Sequence, residues 1–159
     1  MANSPSQPIS RTDWISVTFA GQDTAEPLGF LQLCIDPRFH RAIQEQFERL
    51  TDLAHTSYWL DTGVGGSPKM RGEDLAPNYC YNHGARIMGW AAHGCKCGGF
   101  SPPLHPHQAD DREIRDALAQ TLEEKVFLYP DAQHYAFFAT QEDDPARVVI
   151  WFRGPIIGS

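Results

Sequence analysis

The stretch LGFLQLCIDPRFHRAIQEQFERL, residues 28–50, limits the possible folds more than any other part of the chain. Its first eight residues, Leu28 to Ile35, form a nearly continuous apolar run, which suits a strand covered on both faces. The chain then turns straight into a helix. Asp36 suits an N-cap, Pro37 suits the first helical position, and Phe39, Ile43, Phe47 and Leu50 recur at i, i+4, i+8 and i+11 on one face. A doubly covered strand followed at once by an amphipathic helix is half of a βαβ unit. The expected fold class is therefore α/β, with a central parallel or mixed sheet flanked by helices.

The rest of the chain fits that scheme. WISVTFA (Trp14 to Ala20) alternates large apolar with small or polar residues and predicts a strand, followed by a turn at Gly21, Gln22 and Asp23. SYWLDTGV (Ser57 to Val64) predicts another strand, ending at Gly65-Gly66. A short helix is expected near Tyr79 to Ala85, then a strand over RIMGWAA (Arg86 to Ala92). SPPLHPHQ is a proline-rich loop. Asp110 to Glu123 predicts a helix with Ile114, Leu118 and Leu122 on one face. KVFLYP, QHYAFFAT and RVVIWFRG are three late strand candidates, the last two separated by the acidic turn QEDDPA. Residues 1–12 read as a loose tail and 13–159 as one domain, without internal repeat or linker.

Composition excludes some partners. The 159 residues carry 20 Asp and Glu against 13 Lys and Arg, with no basic block, so neither nucleic acid nor an anionic membrane is the expected partner. No apolar run approaches a membrane span, and the polar start lacks the apolar core of a signal peptide. The expected compartment is the cytoplasm, where thiols stay reduced and clustered Cys and His point to metal or catalysis rather than to disulfides.

Two clusters carry the chemistry. The first is Cys34, Asp36 and Arg38, where strand gives way to helix. Asp and Arg two residues apart can pair, which keeps the carboxylate ionised and orients it as an acceptor. Taken singly, each has a plainer explanation: a buried small apolar thiol, an N-cap, a solvated first-turn arginine. The second cluster is AAHGCKCGGF, with His93, Cys95 and Cys97 at the end of another predicted strand. In open α/β sheets, ligands bind outside the carboxyl ends of the strands, where Cys34 and His93 both fall. Zinc takes Cys sulfur and His nitrogen in a tetrahedral shell. Cys34, His93 and Cys97 would give a Cys2His site with one open position, whereas adding Cys95 would close the shell and make the site structural.

Cys-x-Asp-x-Arg after an apolar strand, then about sixty residues later His and Cys-Gly-Gly after another strand, resembles a β-class carbonic anhydrase. The matching residues are Cys34, Asp36 and Arg38, then His93 and Cys97-Gly98-Gly99, and Gly65-Gly66 resembles the glycine pair ending the intervening strand. The resemblance covers about Gly29 to Phe100. It departs from the family's His-x-x-Cys, because three residues separate His93 from Cys97 and one separates it from Cys95. Cys97 matches better, because the glycine pair follows it. The chain is also short for the family, and its start reads as a strand rather than a helical arm.

The resemblance implies a Zn2+ cofactor held by Cys34, His93 and Cys97, and hydration of carbon dioxide to bicarbonate by a metal-bound hydroxide. Asp36, paired to Arg38, would accept a hydrogen bond from that hydroxide. It also implies a homodimer or higher homo-oligomer, and the run of late apolar strands in this sequence fits an edge used for pairing. Alternatives are a structural-zinc or inactive binding module with Cys95 in the shell, a carbon disulfide or carbonyl sulfide hydrolase on the same scaffold, and a metal-free scaffold with Cys95 and Cys97 as redox thiols. Cys80 and His83 have a metal-like spacing but read more simply as a buried thiol and a helix-end histidine. His105 and His107 stand in the loop just past the second cluster, as solvated groups or as proton carriers.

Overall fold

The computed structural model describes residues 14–21, 27–70, 75–144 and 147–158. Five strands form one mixed sheet: β1 (Gly29–Cys34), β2 (Tyr58–Gly63), β3 (Ile87–His93), β4 (Gln133–Gln141) and β5 (Val148–Ile157), in the order β2-β1-β3-β4-β5. The first four run parallel, and β5 pairs antiparallel with β4. Three helices complete the fold: α1 (His40–Thr51), α2 (Leu75–Asn82) and α3 (Asp111–Leu128).

The apolar run of β1 is buried at every position, as expected of a strand between two neighbours and two covered faces. Successive side chains divide between the faces. Phe30, Met88, Trp90 and Phe138 pack with Ile114, Leu118 and Leu122 of α3, while Leu31, Leu33 and Phe137 pack with Ile43 and Phe47 of α1. Each such fully buried large side chain contributes roughly 1.5–3 kcal/mol relative to leaving it in water. The strand-to-helix turn after β1 is a short 3-10 turn, Pro37–Phe39, in which Asp36 caps the Arg38 N–H as its position suggested.

Three sequence expectations need correction. KVFLYP is not a strand: Lys125 to Leu128 form the last turn of α3, which runs to Leu128. Its apolar run invites a strand assignment, but Leu118, Thr121, Leu122 and Lys125 continue one buried helical face, and the packing of that face overrides local propensity. Trp14 to Ala20 takes no regular secondary structure, and Trp14, Ile15, Val17 and Phe19 are exposed. An alternating segment becomes a strand only where a neighbour completes its hydrogen bonds, and the described sheet gives it none. The short helix also starts earlier than expected, at Leu75. Residues 1–12, and Gln22 and Asp23 of the expected turn, lie outside the described residues.

The topology matters most at one edge of the sheet. β1 and β3 are adjacent and parallel, so their carboxyl ends, Cys34 and His93, emerge side by side. β2 ends at Gly63 opposite Cys34, and the chain turns through Gly65 and Gly66 beneath the same edge. Gly66 has φ +67°, and a Cβ there would overlap the Ala91 carbonyl, so this crossing requires glycine.

Candidate metal centre

Cys34, His93 and Cys97 converge: Cys34 Sγ, Cys97 Sγ and a His93 ring nitrogen all lie within 4.8 Å of one another, and all three side chains are buried. The two sulfurs are 3.8 Å apart. Two thiolates in a tetrahedral shell at metal–sulfur distances of about 2.3 Å stand about 3.8 Å apart, so the spacing is already that of a zinc site. His93 is 1% exposed, and its Nδ1 lies 2.7 Å from the Gly94 carbonyl. That contact assigns the ring proton to Nδ1 and leaves the Nε2 lone pair aimed at the sulfurs. Nε2 makes no hydrogen bond of good geometry; it faces the Cys34 sulfur and lies 3.7 Å from the Asp36 carboxylate. A buried ring nitrogen left without a good hydrogen bond is costly in an ordinary core and expected of a metal ligand. The donor set therefore fits Zn2+.

The ligands are held from several sides. Phe39, delivered by the 3-10 turn, stacks on the His93 ring at 4.6 Å and 24°. His40 Nε2 lies 2.7 Å from the Cys34 carbonyl oxygen. Gly99 lies so close to Gly65 that a Cβ would collide with the Gly65 backbone, which locks the turn after Cys97 against the end of β2.

The extra residue between His93 and Cys97 has a visible cost. Cys95 and Lys96 both adopt left-handed backbone, at φ +57° and +65°. Each non-glycine residue in that region costs on the order of 1–3 kcal/mol and persists only when its surroundings fix it. Here Asp111, in the first turn of α3, accepts the Cys95 N–H at 2.9 Å, and Arg38 donates to the Cys95 carbonyl at 3.3 Å. The Cys95 sulfur contacts the backbone of Gln141 at the end of β4, accepting its N–H at 3.3 Å and facing its carbonyl at 3.5 Å. Cys95 thus points away from the three clustered donors and lies outside their group.

Asp36 and Arg38 stand at the mouth of the cluster. The guanidinium holds the carboxylate through Nε at 3.0 and 3.1 Å and Nη2 at 2.8 Å, and the Arg38 N–H adds a contact at 3.0 Å. Asp36 Oδ2 is 3.7 Å from His93 Nε2. Hydrogen bonds from Arg38, against a smaller opposing effect of burial, hold the Asp36 carboxyl below the usual carboxylate range. It is an acceptor, not an acid, at neutral pH.

The two thiols form a hydrogen-bonded pair, with their sulfurs 3.8 Å apart. The Cys97 thiol hydrogen-bonds to Cys34 and, against burial, pulls the Cys34 thiol far down, with help from His93 and the backbone N–H groups of Asp36 and Gly65. The same contact pushes the Cys97 thiol up, and burial adds to it. Burial alone would lower His93, but its contact with Cys34, the Gly94 carbonyl and nearby negative charge raise it overall. This is a concentrated negative field that a cation would neutralise.

The sequence placed Cys34, Asp36, Arg38, His93 and Cys97 near one another, and the fold brings these five together. It missed Phe39, His40, Asp111 and Gln141 as supports, because their sequence positions look like an ordinary helix start or strand end. Cys80 is buried, while the His83 ring stacks on Tyr79 and its Nδ1 meets the Tyr79 carbonyl. Among the described residues, those two do not join a metal-type group.

No family model and no curated protein sequence matches the chain. Solved structures do. The chain is similar to a carbonic anhydrase from Streptococcus mutans, with TM-score 0.51 and 14% identity over 83% of this chain and 87% of that one. It is also similar to β-carbonic anhydrase isoform I from Trichomonas vaginalis, with TM-score 0.48 and 11% identity over 83% and 87%. A tetrameric β-carbonic anhydrase from Sordaria macrospora aligns with TM-score 0.45 and 11% identity over 80% and 83%. The chain shares the α/β fold of the Streptococcus mutans carbonic anhydrase, and at 14% identity the likeness is one of fold.

Proposed function

We propose that the protein is a zinc lyase that hydrates carbon dioxide to bicarbonate. Cys34, His93 and Cys97 would be the three protein ligands, and Asp36 and Arg38 would be the catalytic pair. The observation that carries this is the buried Nε2 of His93, without a hydrogen bond of good geometry, facing two sulfurs at zinc-ligand spacing beside an ionised carboxylate. Zinc held there supplies a Lewis acid that brings the pKa of water down towards neutrality.

The chain's own residues do the rest. With Cys95 turned onto Gln141, Cys34, His93 and Cys97 would be the three protein donors and would leave a fourth position to water. Asp36 Oδ2, 3.7 Å from His93 Nε2, stands where it would accept a hydrogen bond from a nucleophile at the cluster and orient its lone pair. Arg38 holds Asp36 through Nε and Nη2, which favours the carboxylate as an oriented acceptor over a swing onto the ligand cluster. Phe39 and the Gly94 carbonyl fix the His93 ring in the required tautomer and plane.

The same proposal includes a homo-oligomer. β5 is an edge strand with Trp151 56% exposed, Phe152 48% and Ile157 61%, and an apolar edge of this kind suits pairing with a second copy. Ligation by two reduced thiols fits the cytoplasm. None of the described helices is long and apolar enough to cross a membrane.

The test is stopped-flow carbon dioxide hydration by zinc-replete protein against Cys34→Ser. A rate well above the variant and the uncatalysed reaction is expected. Equal rates for wild type and variant, at full zinc loading of the wild type, would overturn the assignment.

A further inference from the structure

A second cluster of metal-type donors lies outside the centre described above. The loop after Cys97 carries His105 and His107, and α3 presents Glu113 from its first turn. One ligand atom from each falls within 4.8 Å of the other two. His107 Nε2 is 2.8 Å from Glu113 Oε2 and 3.0 Å from Oε1, and His105 Nε2 is 4.0 Å from Oε2.

The loop is built to hold these groups. His105 N–H and Leu104 N–H both donate to the Ser101 carbonyl, Ala109 N–H donates to the Phe100 carbonyl, and Ser101 Oγ donates to Gln108. The His105 ring packs against Phe100 at 5.3 Å and against His107 at 5.1 Å. Asp110 caps the Glu113 N–H at 2.8 Å, which fixes the turn from which Glu113 projects.

We propose that His105, His107 and Glu113 form a second divalent-metal site, for a zinc-type ion, that clamps the loop after Cys97 onto the start of α3. Two imidazoles and one carboxylate suit first-row divalent ions, and zinc in particular binds such sets at about 2.0–2.2 Å. Ligand atoms at those distances in a tetrahedral shell stand about 3.4 Å apart, inside the range observed here. Three protein donors would leave a fourth position of a tetrahedral shell to water. The set has no sulfur and so differs in chemistry from the Cys34–His93–Cys97 centre.

Lys69 opposes the ion and makes the proposal sharper. Its Nζ lies 2.9 Å from His105 Nδ1 and also sits over the Phe100 ring at 4.8 Å. An ammonium donating to Nδ1 places the neutral ring's proton on Nε2, the atom that faces Glu113. Metal binding at Nε2 requires the proton to stand on Nδ1 instead, so Lys69 must turn away from His105. Repulsion between an ammonium and a divalent ion a few ångströms apart, in a partly hydrated setting, is worth about tenfold in affinity.

The experiment uses the untagged full chain, first loaded with one equivalent of zinc, then titrated with Zn2+ by calorimetry and with Co2+ by absorption. The expected result is one further equivalent, whose cobalt spectrum lacks thiolate charge transfer. His107→Ala and Glu113→Gln should each weaken it at least about tenfold. Lys69→Met should tighten it by about tenfold, and Cys34→Ser should leave it in place. His107 and Glu113 are substantially exposed, so these variants leave the core intact. No second equivalent, or one indifferent to both His107→Ala and Glu113→Gln, would overturn the proposal. A second equivalent lost with Cys34→Ser would overturn it as well.

Discussion

Asp36→Asn separates three roles that one carboxylate plays in this structure. As an N-cap, Asp36 accepts the Arg38 N–H, and asparagine caps nearly as well, so this contribution is almost unchanged. As an ion-pair partner it loses its charge. The pair is partly exposed, with side-chain accessibilities of 38% for Arg38 and 24% for Asp36, so this term is about 1 kcal/mol or less. As the acceptor facing the cluster it loses an ionised oxygen and can gain a donor. Loss of one aligned charge-stabilising group in an active site typically costs about 10²–10³ in rate. The variant should therefore unfold within about 1 kcal/mol of wild type, a shift of about 2–4 °C in Tm for a chain of this size. It should retain one zinc per chain and lose about 10²–10³ of its carbon dioxide hydration rate. Urea denaturation, mass-spectrometric metal analysis and stopped-flow kinetics on the same sample check all three. Loss of zinc would show that Asp36 acts mainly through the ligand cluster. Unchanged activity with zinc retained would refute its role as acceptor.

Other substitutions test neighbouring parts of the account. Cys97→Ser should abolish stoichiometric zinc, while Cys95→Ser should retain it, because the Cys95 sulfur faces Gln141; metal analysis showing the reverse would exchange the two ligands. In the metal-free protein the contact with Cys97 holds the Cys34 thiol well below its ordinary range, so thiolate absorbance should persist at pH 6, where an ordinary thiol is protonated, and vanish in Cys34→Ser. Absence of any thiolate at pH 6 would refute the lowering of the Cys34 thiol by its partner. Trp151→Asp places a charge on the exposed face of β5 and should shift the sedimenting species to a monomer, whereas an unchanged sedimentation coefficient would move the proposed interface elsewhere.

Sequence periodicity located the elements that position the centre. The run through Cys34 and the helix start at Asp36-Pro37 are local signals, and both reappear as β1 and the turn into α1. The Cys, Asp, Arg and His spacing was legible because parallel strands bring their carboxyl ends together regardless of the intervening sequence. Other features depended on contacts that no local pattern records. Lys125 to Leu128 looks like a strand in isolation and is helical because α3 buries a continuous face. Whether Cys95 or Cys97 faces His93 turns on a left-handed pair of residues pinned by Asp111 and Arg38, from two distant elements. Trp14 to Ala20 carries a strand's alternation without a strand's partner among the described residues.

The central claim is an open zinc centre with two sulfurs, one imidazole and a free fourth position. Zinc-edge X-ray absorption on the protein purified with its metal tests it most directly. The account predicts two sulfurs near 2.3 Å, one imidazole nitrogen and one light exchangeable ligand near 2.0 Å. A shell of three sulfurs and one nitrogen, with no exchangeable oxygen, would contradict it and make the site structural.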